Sequence, residues 1–345
     1  MKKSKSSLKR NAFLILVLLI FGVTYIGHKA NEPMQPGAKS HYYRVHRKTS
    51  LNSILTELQA KHVLRSAKWA SLFARLHRDT QFVRPGTYLI GPGESGAEIA
   101  SHFREPVVLK FRIPSTNWAQ RTAKLLQEHE VCLASRYMSD VHDPALFQKY
   151  VKFPLPKTSL EGYLYPDTYD VEPLSSAHRI IRMQLLAFQR KVYDRLNHPK
   201  NLALYVTIGS LIELEVARNV EKPLVSAVIY NRLKRNMRLQ IDASVNYALG
   251  EWRPLKYSDL KKAPGPYNLY RHNGLPPGPI CSPTYSSIEA AMHPARVNYL
   301  YYVALPNGHT LFSSTFSEQK QNIQRRKRAL ENLSHNQSRT EGLKT

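Results

Sequence analysis

Sixteen consecutive residues without a charge, 12–27 (AFLILVLLIFGVTYIG), fix how the front of this chain can be used. As a helix they extend about 24 Å, a little less than the hydrocarbon thickness of a bilayer. Taking in Asn11 and His28, with Arg10 and Lys29 snorkelling toward the head groups, completes a span, and a transmembrane anchor is expected over residues 12–28. Lys2, Lys3, Lys5, Lys9 and Arg10 precede it, so residues 1–11 form a basic segment that the positive-inside rule holds in the cytoplasm. A cleaved signal peptide is the rival reading. Its cut needs small residues one and three positions before it, and His28-Lys29-Ala30 is a poor site. With an uncleaved anchor, everything after Lys29 lies outside the cytoplasmic membrane.

That topology governs the meaning of the charge. Lys and Arg number 50 against 25 Asp and Glu, a formal net charge of +25. In a cytosolic protein such an excess suggests nucleic acid. Beyond a bilayer the same surface meets anionic lipid and envelope polymers. The basic residues are scattered apart from Arg325-Arg326-Lys327-Arg328, which suits the solvated face of a C-terminal helix. Helix-turn-helix, zinc-finger and ribonucleoprotein motifs are missing from the sequence, and nucleic acid is not expected as a partner. Cys132 and Cys281 are too few for a disulfide framework, and the sequence leaves open whether they pair.

The remaining length suggests about two folded domains of α+β character. Residues 29–43, with Pro33, Pro36 and Gly37, read as a linker. A small α+β module is expected over 44–108. Leu51, Ile54, Leu55 and Leu58 keep helical spacing behind Thr49 or Ser50, and a second amphipathic run over 66–77 carries Trp69, Leu72, Phe73 and Leu76. A turn at Arg84-Pro85-Gly86 feeds a strand, Ser95 caps a third helix, and residues 107–113 form a strand leading out. The larger, mixed α/β domain spans 109–334. Helical patterns cover 119–129, 144–151, 175–196, 202–218, 222–236 and 316–333, with Pro223 in the first turn of the fifth. Residues 298–305 and 309–312 alternate like strands around Asn307-Gly308, a type I′ hairpin signal. Residues 335–345 read as a flexible tail.

The motifs of zinc proteases, serine hydrolases and nucleotide enzymes are lacking, and neither a metal nor another cofactor is expected. One helix breaks the patterning rules instead. In residues 204–216, LYVTIGSLIELEV, the helical repeat of about 100° per residue puts Leu204, Ile208, Leu211 and Glu215 on one stripe, with Glu213 opposite. A carboxyl among apolar side chains keeps its proton near neutral pH, as a general acid requires. A buried Glu satisfied by Arg218 or Arg232 accounts for the pattern equally well. Asn231, Gln240, Asp242 and, farther on, Tyr267, Asn268 and Tyr270 with a proline-stiffened loop over 274–280 offer the rings and amides that sugars need. Asp242 has a plainer reading as an N-cap, and the prolines as loop-shaping residues.

Glu161-Gly-Tyr-Leu-Tyr-Pro-Asp-Thr-Tyr169, Ser210-Leu-Ile-Glu-Leu-Glu215, Asn231-Arg-Leu233, Met237 to Asp242, Tyr267-Asn268, Gly274 to Ile280, His293-Pro294 and Tyr299-Leu-Tyr-Tyr302 occur in that order. In these stretches the chain resembles the YceG-like (MltG-type) family of endolytic murein transglycosylases along nearly its whole length. The resemblance implies a LysM-like module over 44–108 and a catalytic domain over 109–334. The activity it implies is endolytic cleavage of MurNAc–GlcNAc β-1,4 bonds in nascent glycan strands, leaving 1,6-anhydroMurNAc ends and terminating polymerisation. It puts the catalytic acid on Glu215, and substrate contacts on Glu161, Tyr165, Asn231, Gln240, Asp242, Tyr267, Asn268, Tyr270 and His293. Its partners would be peptidoglycan glycan strands, the membrane through 12–28, and peptidoglycan synthases as candidates. The setting would be a bacterial inner membrane, single-pass, with the bulk of the chain periplasmic. A non-catalytic peptidoglycan-binding scaffold of the elongation machinery is the alternative. Four positions depart from the family pattern: Ala243 for a proline, Leu269 for a threonine, Pro114-Ser115-Thr116 for Pro-Glu-Gly, and Gln319 for a histidine.

Overall fold

The structure is a computed structural model that describes residues 3–77 and 81–341, with side-chain environments for 13–77 and 81–333. It is a mixed α+β chain in two compact units, one of Met1–Lys110 with Asp170–Ser175, the other of Phe111–Tyr169 with Ser176–Thr345.

The first unit begins with α1 (Lys3–Asn31). Phe13–Asn31 is the one stretch among the described residues long and apolar enough to cross a membrane, and Phe13, Leu18 and Phe21 on it are exposed. That is compatible with a single-pass anchor. The helix runs past residue 28, so the segment read as a linker starts as its last turn. There the Asn31 side chain accepts the Ala97 N–H at 2.8 Å. Strand β1 (His41–Val45) follows and pairs antiparallel with β4 (Gly86–Ile90), Tyr43 facing Tyr88, while β2 (Thr49–Ser50) pairs with β3 (Phe82–Val83). Helices α2 (Leu51–Ala60), α3 (Ala67–Leu76) and α4 (Gly96–His102) each start behind a serine, Ser50, Ser66 and Ser95, whose hydroxyl accepts a backbone N–H of the first turn. Ile54, Leu55, Leu58, Tyr88, Ile99 and Phe103 fill the core. Helix α3 corrects the amphipathic reading: it buries Ala67, Ala70 and Ala74 and leaves Leu72 and Leu76 exposed. The small face is needed because a Cβ on Gly96 would lie 3.1 Å from that of Ala70.

Strand β5 (Leu109–Arg112), in which the second unit begins at Phe111, pairs with β6 (Thr168–Val171). Helices α5 (Ala119–Glu128) and α6 (Ala134–Val141) come between them, then two 3-10 turns, Pro144–Leu146 and Gln148–Tyr150, where a helix over 144–151 was expected. Next come α7 (Ala177–Phe188), α8 (Leu202–Glu215), α9 (Lys222–Lys234), α10 (Asp242–Leu249), α11 (Tyr257–Lys262) and α12 (Tyr285–Met292). Helix α8 is the centre of this unit. Its residues from Val206 to Ile212 are all buried, so it has no single apolar stripe, and Leu204 is 37% exposed. Gly209 lets α12 lie against it, since a Cβ there would stand 3.1 Å from Ile288. The hairpin of β7 (Tyr301–Ala304) and β8 (Thr310–Ser313) follows. Its turn is not type I′. Gly308 N–H bonds to the Leu305 carbonyl and only Gly308 has positive φ, because Pro306 fixes the preceding φ as a type I turn requires. The last helix, α13 (Phe316–Glu341), continues through most of the segment read as a flexible tail; residues 342–345 of that segment, like 1–2 of the basic one, lie outside the described residues.

Candidate active site

Helix α8 delivers two carboxylates from its last turn. Glu215 closes the helix, half-buried, and its Oε2 accepts the Tyr302 hydroxyl of β7 at 2.9 Å. Burial pushes its pKa up to about 7; the Tyr302 hydroxyl opposes the shift and the negative Asp242 adds to it. Among the described residues no cation stands within ion-pair distance of Glu215. Arg218 pairs instead with Glu221 at 3.1 Å. Arg232 is buried with its guanidinium spent on the carbonyls of Leu300, Leu239 and Arg238 at 2.7, 2.7 and 3.2 Å. Glu215 is therefore not one half of a buried ion pair with either arginine.

Glu213, two residues earlier, has the opposite surroundings. Its Oε2 accepts Thr284 N–H (3.1 Å), Thr284 Oγ1–H (2.7 Å) and Ser287 Oγ–H (2.5 Å), and Lys222 Nζ stands at 3.3 Å. Burial alone would raise its pKa, but Lys222 and the hydroxyls outweigh it and hold the group below the usual range. Thr284 precedes α12 with no capping bond of its own, so the Glu213 carboxylate serves as that helix's cap from outside.

The other expected site residues divide by what their polar atoms are doing. Asp242 is exposed at the first turn of α10, where Ile241 is the N-cap, and its carboxylate accepts the Tyr270 hydroxyl at 2.6 Å. Glu215, Tyr302, Asp242 and Tyr270 are thus brought together. Gln240 is exposed beside them with φ +53, its N–H on the Leu269 carbonyl. Tyr267 is half-buried, its ring 4.8 Å from Tyr247. Asn231 directs both donors at the carbonyls of Val297 and Tyr299, and Asn268 is wholly buried, donating to Leu260 and Ala263 and accepting from Tyr270 N–H. These amides shape the loops that carry the rings. Glu161 is buried, its oxygens 3.2 and 2.9 Å from Ala119 N at the start of α5; burial pushes its pKa up to about 7 against those N–H bonds. Tyr165 is buried, with Tyr169 Oη donating to its carbonyl. His293 is exposed at the C-terminal end of α12.

The model of the YceG-like family matches residues 43–325. The chain belongs to the YceG-like family. An endolytic murein transglycosylase of Bacillus subtilis (strain 168) is 30% identical over 327 residues, covering 87% of this chain and 89% of that protein. Another from Streptococcus pneumoniae (strain D39) is 24% identical, covering 90% of this chain and 64% of the relative. A crystal structure of a yceG-like protein from Listeria monocytogenes aligns with a TM-score of 0.54 at 30% identity, over 82% of this chain and 99% of that one.

In this YceG-like chain three of the departures from the family pattern, Ala243, Leu269 and Gln319, are buried, while in Pro114-Ser115-Thr116 the first two residues are half-buried and Thr116 is exposed. Leu269 is wholly buried in the core of the second unit. Gln319 is buried, donating to the Tyr302 carbonyl at 3.0 Å and accepting from Ser313, so it braces the strand that carries Tyr302. Ser115 helps to hold the Glu213 pKa down. Both cysteines are free; burial pushes Cys132 up to about 11 and Cys281 well above the thiol range. Tyr302 stands within a recognisable motif, but nothing in the sequence gives it a place in the site, and nothing there marks α12 with Thr284 and Ser287. Eight residues give a weak periodic signal, and no spacing rule links Glu213 to hydroxyls about 70 positions downstream.

Proposed function

We propose that this protein is an endolytic peptidoglycan lytic transglycosylase in which Glu215 is the only acid–base. The observation that carries the reading is a half-buried carboxyl whose pKa is pushed up to about 7 and which has a tyrosine hydroxyl, not a cation, as its partner. The names of its relatives point to the same substrate. Protonated Glu215 gives its proton to the glycosidic oxygen as the bond from muramic C1 breaks. The resulting carboxylate then takes the proton from the muramic C6 hydroxyl as its oxygen bonds to C1. Atoms balance without water, and the product end is 1,6-anhydro. The nucleophile comes from the substrate, held beside C1, so one carboxyl suffices.

Tyr302 orients the acid, and Asp242 and Tyr270 flank the sugar-binding groove with Gln240 and Tyr267. Asn231 and Asn268 act by holding loops, and we read Glu161 and Tyr165 as supports for the groove rather than direct contacts. Residues 44–108 are read as the LysM-like module, and α1 as a single-pass anchor with its basic end in the cytoplasm and the rest periplasmic. Peptidoglycan synthases are the candidate protein partners there.

Asp242, close enough to Glu215 to raise its pKa, favours one second reading: a hydrolytic muramidase with Asp242 as the base for water. Digestion of purified sacculi with mass analysis separates the two, anhydro ends from reducing ends. Glu215→Gln should abolish the anhydro product; undiminished anhydro ends would remove Glu215 from its role.

A further inference from the structure

Away from Glu215 the second unit carries a cleft of about 560 Å³ that the chemistry above does not use. Trp118 and Trp252 line it, ring centroids 6.0 Å apart, with the Arg121 guanidinium 5.3 Å from one ring centroid and 5.6 Å from the other. Gln120, Gln127 and Lys124 stand at the rim, all exposed. Trp118 is 3% exposed, whereas Trp252 is 46% exposed. A large indole left half in water beside amides and two cations is poor packing but suits a ligand with an apolar face and polar edges. The volume falls in the range of small-ligand sites.

A run of ring contacts also links the cleft to Tyr267. Tyr247 on α10 stands 4.8 Å from Tyr267 and 5.7 Å from Trp118. Asp242 begins α10 and Gly250, which lines the cleft, follows its end, so about 12 Å of helix lies between these two residues. That is comparable with the length of a disaccharide. The Glu161 carboxylate holds the N–H of Ala119, next to Trp118, and so fixes the cleft wall.

We propose that the Trp118–Trp252 cleft is a distal subsite for the same glycan strand, one repeat removed from the bond that is cut. A sugar ring stacks on Trp252, its hydroxyl and acetamido groups meet Gln120 and Gln127, and Arg121 and Lys124 attract the carboxylates that the strand carries. A grip at that distance favours binding within a strand over binding at its end. This rests on the transglycosylase reading for the identity of the polymer.

Two of the chain's three tryptophans line the cleft and the third, Trp69, is in the other unit, so intrinsic fluorescence reports on it directly. The test titrates sonicated, peptide-bearing glycan strands into full-length protein carrying Glu215→Gln and Trp69→Phe. A saturable change in emission is expected, and Trp252→Ala should weaken apparent affinity about tenfold, with Trp252→Phe restoring part of it. Trp252 is exposed, so its loss should not unfold the chain; unchanged circular dichroism checks this. A silent spectrum on binding, or equal affinity for Trp252→Ala, would make the stack a structural clasp only and overturn the subsite. Anhydro ends from wild type with silent tryptophans reject the subsite alone. A saturable response from a chain whose wild type leaves reducing ends keeps the subsite and rejects the proposed chemistry.

Discussion

Glu213 and Glu215 leave the same turn of one helix and do opposite things. The Glu213 carboxylate collects an N–H, two hydroxyls and an ammonium, and is held ionised although its side chain is only 7% exposed. Glu215 collects a single hydroxyl, lies near a second negative charge, and keeps its proton to about pH 7. Burial is common to both. Donor supply separates them: where several donors point at a buried carboxylate, ionisation is stabilised, and where one does, desolvation wins. A helix end can thus hold an ionised and a protonated carboxyl at once, provided the second is starved of cations. Arg232 illustrates the starvation, for it stays near Glu215 with its donors turned to backbone carbonyls.

Two substitutions should break the comparison if it is wrong. Glu215→Gln is expected to lower kcat on sacculi by roughly 10²–10⁴-fold with thermal stability retained. Glu213→Gln should do the reverse. It leaves Lys222, whose side chain is 5% exposed, without its counter-ion, and removing one partner of a buried pair costs about 3–5 kcal/mol. Urea unfolding should register that loss, while whatever remains folded still forms anhydro ends. If Glu213→Gln instead destroyed kcat at unchanged stability, the two roles would be exchanged.

The sequence singled out Glu215 by an argument that was only partly sound. Its stripe joined Leu204, which is exposed, to Ile208 and Leu211, which are buried, because a periodic pattern cannot tell a helix buried on one face from one buried all round. Local chemistry was legible: serine caps, Pro223 in a first turn, and the strands flanking Asn307-Gly308 all follow from residues a few positions apart. Non-local assignments were not. Nothing in Asn231 or Asn268 announces that their amides go to loop carbonyls, and nothing in Asp242 announces Tyr270 as its donor. Strand β1 escaped notice because HYYRV has no clean alternation and owes its place to β4, some 40 residues on.

A smaller effect is expected from Tyr302→Phe. The hydroxyl donates to Glu215 and favours the carboxylate, so its loss should move the alkaline limb of kcat, expected near pH 7 in wild type, to higher pH. The acid also loses the bond that aims it, worth about 1 kcal/mol, so the rate at pH 6 should fall by up to about tenfold. A limb that moved down, or did not move, would mean that Glu215 is not the titrating acid.

The smallest effect is on stability against pH, and it distinguishes the two glutamates without any assay of activity. Native Glu215 keeps its proton to about pH 7, while the unfolded chain releases it near 4.5. Between those values the native state binds more protons, so this group lowers stability as pH rises through that window and adds no further slope above it. Glu161, also pushed up to about 7, acts in the same direction. Glu213 is lowered, so its contribution is present above about 4.5 and is lost as pH falls through its folded value. Glu215→Gln should therefore gain on wild type from pH 5 to pH 8, by a few degrees at most in Tm. The deficit of Glu213→Gln should instead narrow as pH drops below about 4.5. Melting curves of the detergent-solubilised full chain across this range provide the measurement. A Glu215→Gln difference that stayed flat with pH would mean that its carboxyl ionises as freely in the folded protein as in the unfolded one, and the contrast with Glu213 would then have no electrostatic basis.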